Sequence, residues 1–302
     1  MSWFLIALLA PFLLACANHN DKFLLSRYFT EKSIGSFLIP SSLVGGVAIP
    51  IILFIEPHAY DINLVQGTAL ASIGMSSVLA TGCYLYALHI DEASFVIPFY
   101  RMVPIFAFFL GYFILGETIT IVQGLGSFVT VIGALALSFE LGRKRVRFKR
   151  NVAALMLFAS FLSAINGIIF KLIAVSRGFW VALFWGFVGQ MASGLILLIC
   201  IPSYRRDFVG LFKQKAAAVG LIALSRALFS VSEAVTLYAT LLAPVALVLL
   251  VGSFQPFFVL ILGIVLTLFL PGVTKESLNR MKLLQKGAAI GLMLVGGILI
   301  SR

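Results

Sequence analysis

The stretch YLYALHIDEASFVIPFYRMVPIFAFFLGYFILGET, residues 84–118, followed by Gln123, Gly124 and Gly133, decides the fold. It occurs twice in outline. Tyr86-Ala87 stands 18 residues before Pro104, and Tyr238-Ala239 stands 18 residues before Pro256, an offset of 152 residues between Tyr86 and Tyr238 in a chain of 302. Gly124 and Gly133 are nine apart, and so are Gly287 and Gly296. The chain therefore reads as two copies of one unit, residues 1–142 and 151–302, joined by the basic linker 143–150. The copies differ in one loop, where the second has gained about 11 residues around Pro271 to Lys282. They also differ at Glu117, whose place in the second copy is taken by Phe269.

Hydrophobic residues make up 61% of the chain and charged residues 11%. A soluble domain holds about 45 to 50% and about 25%, so a soluble fold could not hide this much apolar surface. The charge-poor runs mostly reach the ~20 residues that a helix needs to cross a bilayer. The expectation is an all-α polytopic membrane protein with ten transmembrane helices, at roughly 2–28, 35–55, 63–88, 93–114, 119–139, 151–175, 179–201, 216–241, 243–270 and 286–300. Leu13-Leu14-Ala15-Cys16 comes close to a lipoprotein cleavage box, but Met-Ser-Trp lacks the basic start of such a signal, and the first run is taken as a span. Cys16, Cys83 and Cys200 sit in apolar runs without metal-ligand spacing, so neither a disulfide framework nor a metal site is expected.

The net charge of +11 describes orientation rather than nucleic-acid binding. With short connections, neighbouring spans are antiparallel. Sixteen Lys and Arg then fall on one side, at Arg27 and Lys32, Arg143 to Arg150, Arg205 to Lys215 and Lys275 to Lys286, against Arg177 and Arg302 on the other. The basic side is the cytoplasm, which puts both termini outside it. Five spans per copy is an odd number, so the second copy enters from the opposite face and the two form inverted five-helix repeats. Secondary transporters use that arrangement, with the solute near mid-membrane between the repeats.

Ala87-Leu88 before the fourth span, Val103-Pro104-Ile105-Phe106-Ala107 within it, Leu115-Gly116-Glu117 at its end and Gln123-Gly124 with Gly133 resemble the EamA-type units of the drug/metabolite transporter superfamily. The resemblance implies a ten-helix carrier of small metabolites, often an exporter, in the bacterial inner (plasma) membrane, with a cavity between its halves. It implies no particular substrate and no cofactor.

Charged residues within membrane helices are expensive, about 2.5 to 3.5 kcal/mol on insertion scales, so each needs a partner or a wet cavity. In the first span Asn18, His19, Asp21 and Lys22 form a polar cluster at the end of an apolar run. The cluster belongs either to the cytoplasmic mouth or, if the helix continues to Tyr28, to the cavity itself. In the second case Lys22 and Lys171 occupy matching places in the two copies. Arg101 lies one turn before Pro104, within reach of a carbonyl freed by the proline, of a ligand, or of the interface by snorkelling. Arg226, Ser230 and Glu233 share one helix face, with Arg226 and Glu233 about 10.5 Å apart along the axis. Glu233 is the first choice for a proton-carrying site, being a carboxyl set in an apolar helix; an ion pair with Lys171 or Arg101 is the rival reading.

Counting Lys22, Arg101, Lys171 and Arg226 against Asp21 and Glu233 gives an excess of two cations, which suits an anionic or zwitterionic solute such as an amino acid. Tyr84, Tyr86, Tyr100, Trp185 and Tyr238 either line the cavity or simply pack, and Asn166, Gln190 and Gln255 either bind or join helices. Pro104 and Pro256 are candidate hinges, and Glu117 is expected to cap the helix that follows it. No phosphate-binding loop is present, so no ATP-driven chemistry is expected. Two other functions are open: a flippase for an anionic lipid-linked substrate, and a membrane-embedded enzyme using His19 and Asp21. The expected partners are a small-molecule solute and the lipid bilayer, without nucleic acid; the oligomeric state is left open, a monomer being compatible with it.

Overall fold

Inside lipid a single segment satisfies its own backbone hydrogen bonds only as a helix, and the chain obeys. The computed structural model describes residues 2–28, 34–90, 99, 102–138, 150–211, 216–269 and 280–301, and no strand occurs among them. The helices are α1 (Ser2–Tyr28), α2 (Ile34–Leu43), α3 (Gly45–Ile55), α4 (Leu64–Ile90), α5 (Val103–Leu110), α6 (Ile121–Ser138), α7 (Arg150–Arg177), α8 (Phe179–Cys200), α9 (Pro202–Leu211), α10 (Ala216–Leu242), α11 (Val245–Val251), α12 (Gln255–Phe269) and α13 (Arg280–Ile300). Among the described residues, seven helical stretches are long and apolar enough to cross a membrane: Ser2–Leu24, Phe37–Ile55, Leu64–Ala87, Arg150–Arg177, Phe179–Cys200, Ala217–Leu242 and Val245–Phe269. Three shorter apolar stretches, Val103–Leu115, Ile121–Ala136 and Gly287–Ile300, fall where the fourth, fifth and tenth spans were expected.

Helix ends follow local chemistry. Asn63 and Gln66 cap the start of α4, with Gln66 N–H donating to Asn63 Oδ1 at 2.8 Å. Thr120 and Gln123 cap α6 reciprocally: Thr120 N–H donates to Gln123 Oε1 at 3.0 Å and Gln123 N–H to Thr120 Oγ1 at 3.2 Å. Residues Gly111–Leu115 continue α5 as a π turn, and Gly116 ends it in the left-handed region at φ 66°, where a side chain would be strained.

The candidate hinge prolines both stand at helix starts, and one connection differs from expectation. Pro104 is in the first turn of α5, with Met102 at its N-cap, where a missing N–H interrupts nothing. Pro256 opens α12 directly after a 3-10 turn, Gly252–Phe254, that divides the ninth span. The connection carrying Arg205 and Arg206, read as a loop, is the helix α9. Of the expected fourth span, 93–98, 100 and 101 lie outside the described residues.

Small residues bring helix backbones together, as in other membrane bundles. A Cβ built on Gly189 of α8 would stand 1.8 Å from the Ala71 carbonyl of α4, and one on Gly74 would stand 2.0 Å from the Gly186 carbonyl. The α6–α13 pair is equally close, with Gly126 against the Gly296 carbonyl and Gly133 against Ala289 and Met293. Elsewhere α1 packs on α10 and α12, and α7 packs on α4 and α5. Phe170, Leu183, Phe184, Phe187 and Leu70 form the largest core, between α4, α7 and α8. Phe54, Phe113 and Ile121 are strongly exposed, as befits surfaces that face lipid.

Candidate functional site

A cavity of about 660 Å³ opens between the helices of both halves, lined by α1, α2, α4, α7, α10, α11 and α12. Its walls are mostly apolar, including Leu14, Phe37, Phe229 and Leu249, with polar groups at a few places. That size and balance are typical of small-molecule sites.

One charged group lies where α1 meets α10. The Arg226 guanidinium donates from Nη2 to Asp21 Oδ2 at 2.5 Å and from Nη1 to Ser41 Oγ at 2.8 Å, and it stands 5.7 Å from the ring centre of Phe37. Its Nε is buried with no hydrogen-bond partner. Planar, bidentate contacts of this kind suit arginine and not lysine. Beside it Asn20 donates to the Leu221 carbonyl at 2.7 Å and to Ser225 Oγ at 2.8 Å, tying α1 to α10.

The second charged group is Glu233, two turns further along α10. Gln190 Nε2 donates to its Oε2 at 2.9 Å and Ser77 Oγ to its Oε1 at 3.1 Å. Both donors are neutral. Gln190 itself is buried, and its Oε1 has no partner. Nearby, Ser76 donates to Asn166 Oδ1 at 2.5 Å, joining α4 to α7.

Of the expected site residues, Asn18, Asp21, Asn166, Arg226, Glu233, Gln255 and Pro256 line this cavity, as does Tyr84. Others do not. Lys22 is exposed and outside the lining. Tyr86 and Tyr238 are exposed and also outside it, Tyr238 packing edge-on to Phe179 with ring centres 5.3 Å apart. Trp185 packs over Gly67, and its Nε1 is buried without a partner. Arg101 and Tyr100 lie outside the described residues. His19 is buried against α12, its Nε2 2.8 Å from the Val259 carbonyl, while Asp21 belongs to Arg226. The two residues proposed as acid and base are thus engaged with different helices.

Lys171 has a different partner from those considered. Its ammonium donates to Glu117 Oε1 at 2.6 Å and to the Ala243 carbonyl at 2.8 Å, and the other Glu117 oxygen accepts the Val245 N–H at 2.8 Å. Glu117 therefore serves α11, favoured there by the positive helix start, while Thr120 and Gln123 cap the next helix in its stead. The Leu-Gly-Glu motif explains itself physically. Gly116 turns the chain, Glu117 N–H returns to the Gly111 carbonyl at 3.1 Å, and a Cβ on Gly111 would stand 2.9 Å from the Glu117 carboxylate.

The expected surplus of cations is not met among the described lining residues, Arg101 lying outside the described residues. Among the described lining residues the full charges are Asp21, Arg226 and Glu233. Asp21 and Arg226 neutralise each other, which leaves a carboxyl and no surplus cation. Sequence reasoning missed Ser41, Ser76 and Ser77 because a serine in an apolar span resembles packing filler. Gln190 was visible as a buried amide, but its pairing with a residue 43 positions away was not.

These features define the protein as a polytopic helical membrane protein with a central polar-spotted cavity. Residues 1–139 match the model of the EamA-like transporter family, the family that the motifs within this stretch resemble. No curated protein matches the sequence significantly. Among solved structures 28 chains match; one, titled only as the crystal structure of a protein, aligns with a TM-score of 0.64 at 14% identity, covering 99% of this chain and 96% of the other. At that identity what is shared is the fold.

Proposed function

We propose that the protein is a secondary transporter that carries a small solute through the central cavity by alternating access. In this reading the ten apolar stretches are ten spans, arranged as two inverted repeats with both termini outside the cytoplasm, in the plasma membrane. The helix pairings support it, since exchanging the halves converts α1 on α10 into α7 on α4, converts α1 on α12 into α7 on α5, and returns α6 on α13 to itself. The observation that carries the function is Glu233, a carboxyl on the cavity wall held only by neutral donors. Such a group serves either the solute or a coupling proton.

The lining residues of α1, from Leu14 to Asp21, lie in its second half, and Phe37 and Ser41 lie near the start of their span. With the basic loops in the cytoplasm, this is the cytoplasmic half of the membrane. The cavity is then open to the cytoplasm, and the contacts of Glu117 with Lys171 and Val245 close the outer side. Loading from the cytoplasm suits an exporter.

The test is counterflow in proteoliposomes with a panel of labelled amino acids, amines and carboxylic acids. Wild type should exchange at least one solute, and Glu233→Gln, monodisperse on size exclusion, should exchange it at under a tenth of the rate. Undiminished exchange by Glu233→Gln, or no exchange of any solute by the wild type, would overturn the reading.

A further inference from the structure

Asp21 and Arg226 face each other at 2.5 Å, so Glu233 is the one full charge among the described lining residues without an opposite charge beside it. Its partners, the Gln190 amide and the Ser77 hydroxyl, solvate it as neutral dipoles. Gln190 is 6% exposed, commits its amino group to Glu233, and leaves Oε1 without any donor. Gln190 lies outside the cavity lining, so it holds the carboxylate rather than meeting a solute, while Glu233 and Ser77 line the cavity. A protonated amine in the cavity brings the carboxylate a positive charge and three N–H donors. An inorganic cation can also be held by carboxylate and carbonyl oxygens, but it would leave a cavity of about 660 Å³ with walls such as Phe37, Phe229 and Leu249 without an occupant.

We propose that Glu233, held in place by Gln190 and flanked by Ser77, is the recognition group for the protonated amine of a small solute whose apolar body lies against those walls. This rests on the reading of the cavity as the transport site and adds the chemical class of its occupant. The cavity volume is that of sites for compact organic molecules, so the body is of the size of a single ring system or a short chain.

The experiment is isothermal titration of the purified full-length protein with butylamine, phenethylamine and tryptamine. Each is set beside its N-acetyl derivative, which keeps the body and removes the charge, and sodium chloride is titrated alone into potassium buffer. At least one amine should bind about tenfold or more tightly than its acetyl derivative, the usual worth of a charge-assisted hydrogen bond. Glu233→Gln should abolish that preference, and Ser77→Ala should reduce it by a smaller factor. Equal affinity for amine and acetyl derivative, or no amine binding at all, overturns the proposal in the wild type itself, whether or not the variants fold. Saturable heat from sodium that blocks the amines assigns the carboxylate to an inorganic cation and also overturns it. If the amines fail while another labelled solute still exchanges in proteoliposomes, the amine assignment falls and the transporter reading stands. If amines bind with the expected preference and nothing exchanges, the reverse holds.

Discussion

Breaking the contact between Glu117 and Lys171 tests how the end of α5 is held against α7 and α11. The side chains are 13% and 16% exposed, and the charged atoms are 2.6 Å apart. Removing one member of a buried pair commonly costs about 3 to 5 kcal/mol, because the other charge is stranded, whereas replacing both by neutral groups costs far less. Lys171→Met leaves the carboxylate with the Val245 N–H, so about 3 kcal/mol is expected. Glu117→Gln strands the ammonium on the Ala243 carbonyl, with a similar cost, while the glutamine oxygen can still accept the Val245 N–H. The double variant should lose only about 1 kcal/mol, the size of one weakened cap, and the coupling between the sites should be several kcal/mol. Unfolding of the four proteins in mixed micelles, followed by circular dichroism, gives the cycle. Costs that add within about 0.5 kcal/mol, the range expected of independent sites, would refute the claim that this pair acts as a unit.

Other outcomes follow from single contacts. Gly189→Ala should abolish the folded protein, because its Cβ would meet the Ala71 carbonyl, while Gly186→Ala, with nothing within 4 Å of its Cβ, should leave yield and thermal stability unchanged or slightly improved. Arg226→Lys cannot reproduce the separate contacts to Asp21 and Ser41, and should lower the melting temperature more than Ser41→Ala does. Thr120→Val should cost about 1 kcal/mol through loss of the α6 cap and leave solute exchange at the wild-type rate, as measured by counterflow.

The parts of this structure that were legible in the sequence are those set by local chemistry. Apolar runs without charge become helices wherever they are long enough, so the positions of α1, α4, α7, α8 and α10 could be read directly. The 3-10 turn at Gly252–Phe254 could not, because Gly, Ser and Phe are all common within continuous spans. Glu233 was legible as a site because a carboxyl inside an apolar helix demands an explanation. Its partners Ser77 and Gln190 were hidden, since they come from α4 and α8 and their meeting depends on how the helices rotate. Lys171 shows the same limit. Its charge was conspicuous, but nothing local points from it to Glu117, 54 residues away, and counting charges without their partners produced a cationic cavity that the described lining residues do not form.

The backbone contact between α6 and α13 has a use beyond folding. A Cβ on Gly296 would stand 2.7 Å from the Gly126 carbonyl and 2.2 Å from the Thr130 hydroxyl, so the two helices reach this separation only because the position carries no side chain. Two rods packed this closely make a post built from the last helix of each half of the chain. Spin labels placed on this post should keep a constant mutual distance if the other helices tilt, and would supply a ruler against which a change of cavity shape is measured.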